Sequence, residues 1–175
     1  MSDSFDMIEK FRKLLGVYTK ALHGLVLLLA IVAGTGILTM MSITCLDIVL
    51  RLFRIPLAGA YDIVKIAGTL TIACAMPYTT AVKGHVAIEY FFHKLSRRSR
   101  IFVDTLIRLL GIALFACLTW QMVIYGLSLK RSGQVTLTLQ VPIFWVPYVM
   151  AFSCGVMVMV IGYNLLHPGK EMIKP

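Results

Sequence analysis

Carboxylates set beside basic residues, a few histidines and four scattered cysteines are the side chains in this sequence with chemistry to offer. Asp47, Asp62 and Asp104 each have a basic residue three or four positions on, namely Arg51, Lys65 and Arg108. That spacing puts opposite charges on one face of a helix, so the pairs read as structural ions near helix ends. An autonomous coupled carrier would instead keep an ionisable residue deep in the bilayer, where each charge costs roughly 2.5 to 3.5 kcal/mol. The long uncharged runs of this chain contain none.

Imidazoles are available at His23, His85 and His167. Two of them facing each other from neighbouring helices would ligate a haem, which makes a haem- or quinone-binding anchor subunit of a respiratory enzyme the alternative reading. Cys45, Cys74, Cys117 and Cys154 fall one per apolar run without C-x-x-C spacing. They are expected to be small packing residues, neither zinc ligands nor a disulfide framework. No nucleophile and base pair, phosphate-binding glycine loop or metal-ligand cluster is recognisable. No catalytic, cofactor or metal residue is assigned, and an enzyme is not expected.

The elements that carry these residues follow from composition. Of 175 residues, 59% are hydrophobic and 14% charged, against roughly 25% charged in a typical soluble domain. The charges border four uncharged stretches, Gly24 to Leu46, Ile66 to Val82, Leu109 to Leu129 and Ser132 to Leu166. Crossing a hydrocarbon core about 30 Å thick takes about 20 apolar helical residues. The expected fold is an all-α integral membrane protein with four transmembrane helices. Its parts are an arm at 1–20, crossings at about 22–50, 60–82, 98–129 and 142–166, and a tail at 167–175. The last crossing is set to begin near Pro142, because proline is tolerated in a first helical turn and poorly beyond it. The first run exceeds a signal-peptide core and lacks a clear cleavage site, so it reads as a permanent helix.

Basic residues fix the expected orientation, since they tend to stay on the cytoplasmic side. Lys10, Arg12, Lys13 and Lys20 precede the first crossing, six more lie between Lys83 and Arg108, and Lys170 and Lys174 lie in the tail. The opposite side holds Arg51, Arg54, Lys65, Lys130 and Arg131. Both termini are therefore placed in the cytoplasm. The net charge of +9 is accounted for by topology and by phospholipids with anionic headgroups, and no nucleic-acid partner is implied.

Two further segments are expected to lie along the membrane as amphipathic interfacial helices. In the arm, Phe5, Ile8, Phe11 and Leu15 recur at helical spacing opposite Asp6, Glu9, Lys10 and Lys13. The aromatic stretch at 84–96 is too short to cross and too apolar to sit free in water. Across 132–141, Val135, Leu137, Leu139 and Val141 alternate with Thr136, Thr138 and Gln140. This period of two predicts an extended outer segment with one apolar side, packed on its own bundle or on a partner. Ala30 with Gly34 and Ala151 with Gly155 have the spacing that lets helices approach closely.

The ordered set Asp47-Ile-Val-Leu-Arg51-Leu-Phe-Arg-Ile-Pro56, Tyr61-Asp62, Ala81-Val-Lys-Gly-His85-Val-Ala-Ile-Glu89, Ser132-Gly133-Gln134 and Leu139-Gln-Val-Pro142-Ile-Phe-Trp145-Val-Pro147-Tyr148 resembles the small membrane subunit of tripartite ATP-independent periplasmic (TRAP) transporters. The resemblance runs from about Leu22 to Leu166. The sequence departs from the family at Asp62, where glutamate is more usual, and in lacking a tryptophan in the second helix.

What the resemblance implies is sodium-driven uptake of organic anions across a bacterial inner membrane. A periplasmic substrate-binding protein delivers the solute, a large TRAP membrane subunit carries it by an elevator-like movement, and the small subunit braces that partner's scaffold. Arg51, Asp62, His85, Glu89, Val135, Leu137, Leu139 and Trp145 are the residues expected at a partner or structural interface.

Overall fold

The computed structural model describes residues 2–82 and 97–166, with side chains at 16–82, 103 and 105–165. Four helices make up the described chain: α1 (Ser2–Leu52), α2 (Ala60–Ala81), α3 (Arg97–Ser132) and α4 (Trp145–Leu166). The interfacial segment expected at 84–96 and the tail at 167–175 lie outside the described residues, and with them His85, Glu89 and His167.

Helix α1 runs unbroken for 51 residues, about 75 Å at 1.5 Å per residue. No break separates the arm from the first crossing, since Gly16 alone cannot stop a stretch of good helix formers such as Leu14, Leu15 and Lys20. The arm is helical and continuous with the first crossing, while the side chains up to Leu15, on which its expected place along the membrane rests, lie outside those described. From there Leu22, Val26, Leu29 and Ala33 repeat at helical spacing and are all buried. They meet Cys74 and Ala81 of α2 and Val156 and Val160 of α4 in one core cluster.

Arg54 ends α1. Its backbone is left-handed at φ 61°, its N–H reaches Arg51 O at 3.0 Å, and the N–H of Ile55 reaches Leu50 O at 3.1 Å. This is the paired closure of a Schellman motif, made here without glycine. Pro56 follows at once and cannot resume the helix.

In space the helices follow the order α1, α2, α4, α3, with only a slight contact between α1 and α4. Three segments are long and apolar enough to cross a membrane: Gly16–Leu52, Thr105–Ser132 and Trp145–Leu165. The second of the four expected crossings, α2, is not among them although its 22 residues have the length. It carries Lys65 and four threonines, whose hydroxyls donate to helix carbonyls. Thr69 reaches Lys65 O at 2.9 Å, Thr79 reaches Met76 O at 2.9 Å, Thr80 reaches Met76 O at 3.1 Å and Thr71 reaches Ala33 O of α1 at 3.5 Å. A helix flanked on two sides by α1 and α4 tolerates this polarity because its hydroxyls are satisfied within protein.

Pro77 lies inside α2 and is buried. Having no N–H, it leaves the carbonyl of Ala73 without its helical donor. Ser153 of α4 supplies one at 2.7 Å, and both partners are buried. The proline that weakens α2 thereby ties it to α4.

Close helix approach uses other glycines than those expected. A methyl group at Gly34 or Gly155 would meet nothing within 4 Å. At Gly36 it would run into the Thr71 hydroxyl, and at Gly126 it would press the Tyr148 ring at 3.1 Å. Spacing alone does not tell which side of a helix faces a neighbour. Of the cysteines, Cys74 is buried in the core as a packing residue, whereas Cys45 and Cys117 are exposed on outward faces.

Candidate functional site

The loop end of the bundle brings most of the expected interface residues together. The α1–α2 connection, 53–59, is fastened from Asp47. One of its carboxylate oxygens accepts from Arg51 Nε at 2.8 Å and the other from the backbone N–H of Leu57 at 3.0 Å. The i,i+4 pair predicted from spacing is present, with Arg51 largely exposed. Arg51 and Asp62 do not meet, because Asp47 lies one turn from Arg51 on the same helix face.

Asp62 is turned the other way. It occupies the first turn of α2 and is only 3% exposed. Its Oδ2 accepts from two successive backbone amides, Thr138 at 2.8 Å and Leu139 at 3.0 Å. Hydrogen bonds to an ionised acceptor are shorter and stronger than neutral ones. Lys65, which the spacing nominated, makes no hydrogen bond to it.

Those amides belong to a tight hairpin where an extended segment was predicted. Val135 and Pro142 form an antiparallel bridge, and Thr136 N–H donates to Val141 O at 3.0 Å. The chain reverses over Leu137 to Leu139, and Gln140 is left-handed at φ 53°. Val141 N–H closes on the Thr136 hydroxyl at 3.1 Å. Period-two alternation survives only in the two short arms, because the turn rotates Leu137 and Leu139 away from a common side. Leu137 projects at the tip, 89% exposed. Leu139 lies over Gly59, where an added Cβ would stand 2.5 Å from its Cγ. Gly59 itself has φ 86°, a conformation that suits a residue without Cβ.

Helix α4 begins at Trp145, which is half-buried and three residues after Pro142. Pro142 is engaged in the bridge, and Pro147 falls in the first helical turn, where its missing N–H has no helical partner to lose. Lys130 at the end of α3 stands 6.0 Å from the centre of the Phe144 ring, within range of a cation–π contact.

The result is a latch: one buried carboxylate at the start of α2 and one leucine–glycine contact fix the α3–α4 connection onto the α1–α2 connection. Sequence reading selected Asp62 and Leu139 separately. It missed Gly59 and Thr138, whose signal, a glycine beside an α2 start and a threonine in a polar alternation, is too ordinary to single out. Around the latch Leu52, Phe53, Ile55 and Tyr61 are, like Leu137, at least 63% exposed. Such an apolar rim on connections and helix ends suits a membrane interface or a protein partner. Among the described residues no group of three histidine, cysteine, aspartate or glutamate side chains is placed to hold a metal ion.

Comparison with known families matches residues 40–169 to the model of the tripartite ATP-independent periplasmic transporters, DctQ component. The match covers all three connections between helices and all of α2, α3 and α4. No curated protein and no solved structure matches the chain.

Proposed function

We infer the role of this chain from its family: it belongs to the DctQ component of tripartite ATP-independent periplasmic transporters, and is the small membrane subunit of such a system. In that tripartite arrangement the component works with a large membrane subunit and a substrate-binding protein. Within it, the chain is the static brace of a sodium-driven organic-anion importer of the bacterial inner membrane. α2 crosses as well, the second of four crossings, and both termini face the cytoplasm.

The observation that carries the bracing role is the state of its acids. Among the residues with described side chains the carboxylates are Asp47 and Asp62, and both are fully engaged in holding connections. Neither is left to exchange a coupling ion. The haem or quinone alternative draws no support from the family match.

Reconstitution tests the reading. Liposomes containing this chain alone should take up no solute under an inward sodium gradient. Liposomes with the large subunit and the binding protein should take it up, and omitting this chain should lower that uptake several-fold. Gradient-driven uptake by the chain alone would overturn the bracing role, as would unchanged uptake without it.

Orientation has its own test. After replacement of the four native cysteines, Leu137→Cys should react with an impermeant maleimide added outside intact cells, and Ser96→Cys should react only after lysis. Labelling of Ser96→Cys in intact cells would invert the topology.

A further inference from the structure

At the end of the bundle opposite the latch, α1 and α4 flank a shallow, open cleft of about 310 Å³ lined by Thr19, Lys20, His23 and Tyr163. Lys20 and His23 are three residues apart, so they project from one face of α1. Neither has an ion-pair partner among the described residues. Tyr163 closes the cleft from α4, its ring packed on the core cluster that Leu22 and Val26 also join. We propose that this cleft binds an anionic phosphate group, the chemistry presented by an anionic phospholipid headgroup or by phosphate free in solution.

The height of the cleft favours the lipid. The first uncharged run starts at Gly24, so the hydrocarbon boundary crosses α1 next to His23 and places Lys20 one turn outside it, level with lipid phosphates. A lysine and an imidazole converge on one cleft there, with the Thr19 hydroxyl beside them. Basic pockets between transmembrane helices at this depth recognise lipid phosphate by charge. The Thr19 hydroxyl donates to Gly16 O at 3.0 Å, so it lines the cleft without offering its hydrogen to a phosphate. The inference rests on α1 crossing the bilayer and is independent of the transport role.

Native mass spectrometry of the delipidated full chain in neutral detergent, titrated with phosphatidylglycerol, phosphatidylcholine or inorganic phosphate, tests it. The expected result is one retained phosphatidylglycerol per chain, with phosphatidylcholine held less tightly. Lys20→Gln with His23→Gln should weaken phosphatidylglycerol by roughly fivefold or more, and Lys20→Arg should restore most of it. The melting temperature of the double variant without lipid reports whether it folds, and Lys20→Gln alone serves as the second variant. If inorganic phosphate binds at the same cleft and expels the lipid at millimolar concentration, the phosphate site stands and its ligand is the free anion. Equal retention of the two lipids would overturn the proposal. So would unaltered binding by the double variant, or an equal loss from Lys10→Gln with Arg12→Gln, which would assign the effect to the diffuse charge of the arm.

Discussion

A single methyl group added at Gly36 should destabilise the bundle by about 1 to 3 kcal/mol, the usual range for overfilling a packed contact. In a bilayer, helices gain little from hiding apolar surface from each other's solvent, so their association depends on close packing and interhelical hydrogen bonds. Gly36 supplies both for the α1–α2 pair. The new Cβ would displace the Thr71 hydroxyl, which is buried and donates to Ala33 O at 3.5 Å. The hydroxyl would then have to turn away from that carbonyl or the helices separate. By contrast the Cβ of Thr71 and the carbonyl of Ala67 would both stand at 3.5 Å from the added methyl, an ordinary contact.

The conflict is therefore with one oxygen atom. Thr71→Ala in the Gly36→Ala background should recover most of the loss, giving a double-mutant cycle far from additive. Gly36→Leu should remain damaging with either residue at position 71. Denaturant unfolding of the purified chain in a fixed detergent measures all four corners of the cycle. A neutral Gly36→Ala, or additive effects, would show that the helices are not in contact there.

The second large effect is expected at the latch. Gly59→Val forces a β-branched residue into a left-handed conformation, at about 1 to 3 kcal/mol, and drives its side chain into Leu139. Leu139→Ala should relieve the collision and leave the backbone strain, so the paired variant should be intermediate in melting temperature. Asp62→Ala attacks the same junction without changing either backbone. It strips the Thr138 and Leu139 amides of their acceptor, and hydrogen exchange at those two amides should accelerate while the core of α4 is unaffected. Asp62→Asn, which keeps an acceptor oxygen but loses the charge, should fall between. Unchanged protection in Asp62→Ala would mean the hairpin holds itself. In the assembled transporter, loss of the latch should reduce uptake with the chain still present in the membrane.

Much of this molecule is legible in its residues. Uncharged runs of the right length and an order of basic residues along the chain act within one helical turn or one bilayer thickness, and they are enough to expect helices near their observed positions. The Asp47–Arg51 pair was readable for the same reason, since one helix face fixes its geometry. The ordered motifs from Asp47 to Tyr148 carried the family.

What only the tertiary structure decided lies between segments remote in sequence. Asp62 has a basic neighbour three positions on, yet its carboxylate goes to amides 76 and 77 residues away. A buried acceptor satisfies itself with whichever donors packing brings within 3 Å, and proximity in sequence counts only when it coincides with that. Alternation from Val135 to Val141 forecast an extended segment with one apolar side, but without a sheet to pair with, the segment met its backbone hydrogen bonds by folding on itself. Pro77 deprives a carbonyl of α2 of its helical donor, and the group that compensates it, Ser153, is 80 residues from the carbonyl it serves. Glycine spacing likewise showed where helices could touch, and the rotation of each helix about its axis, set by all its contacts together, selected Gly36 and Gly126 over Gly34 and Gly155.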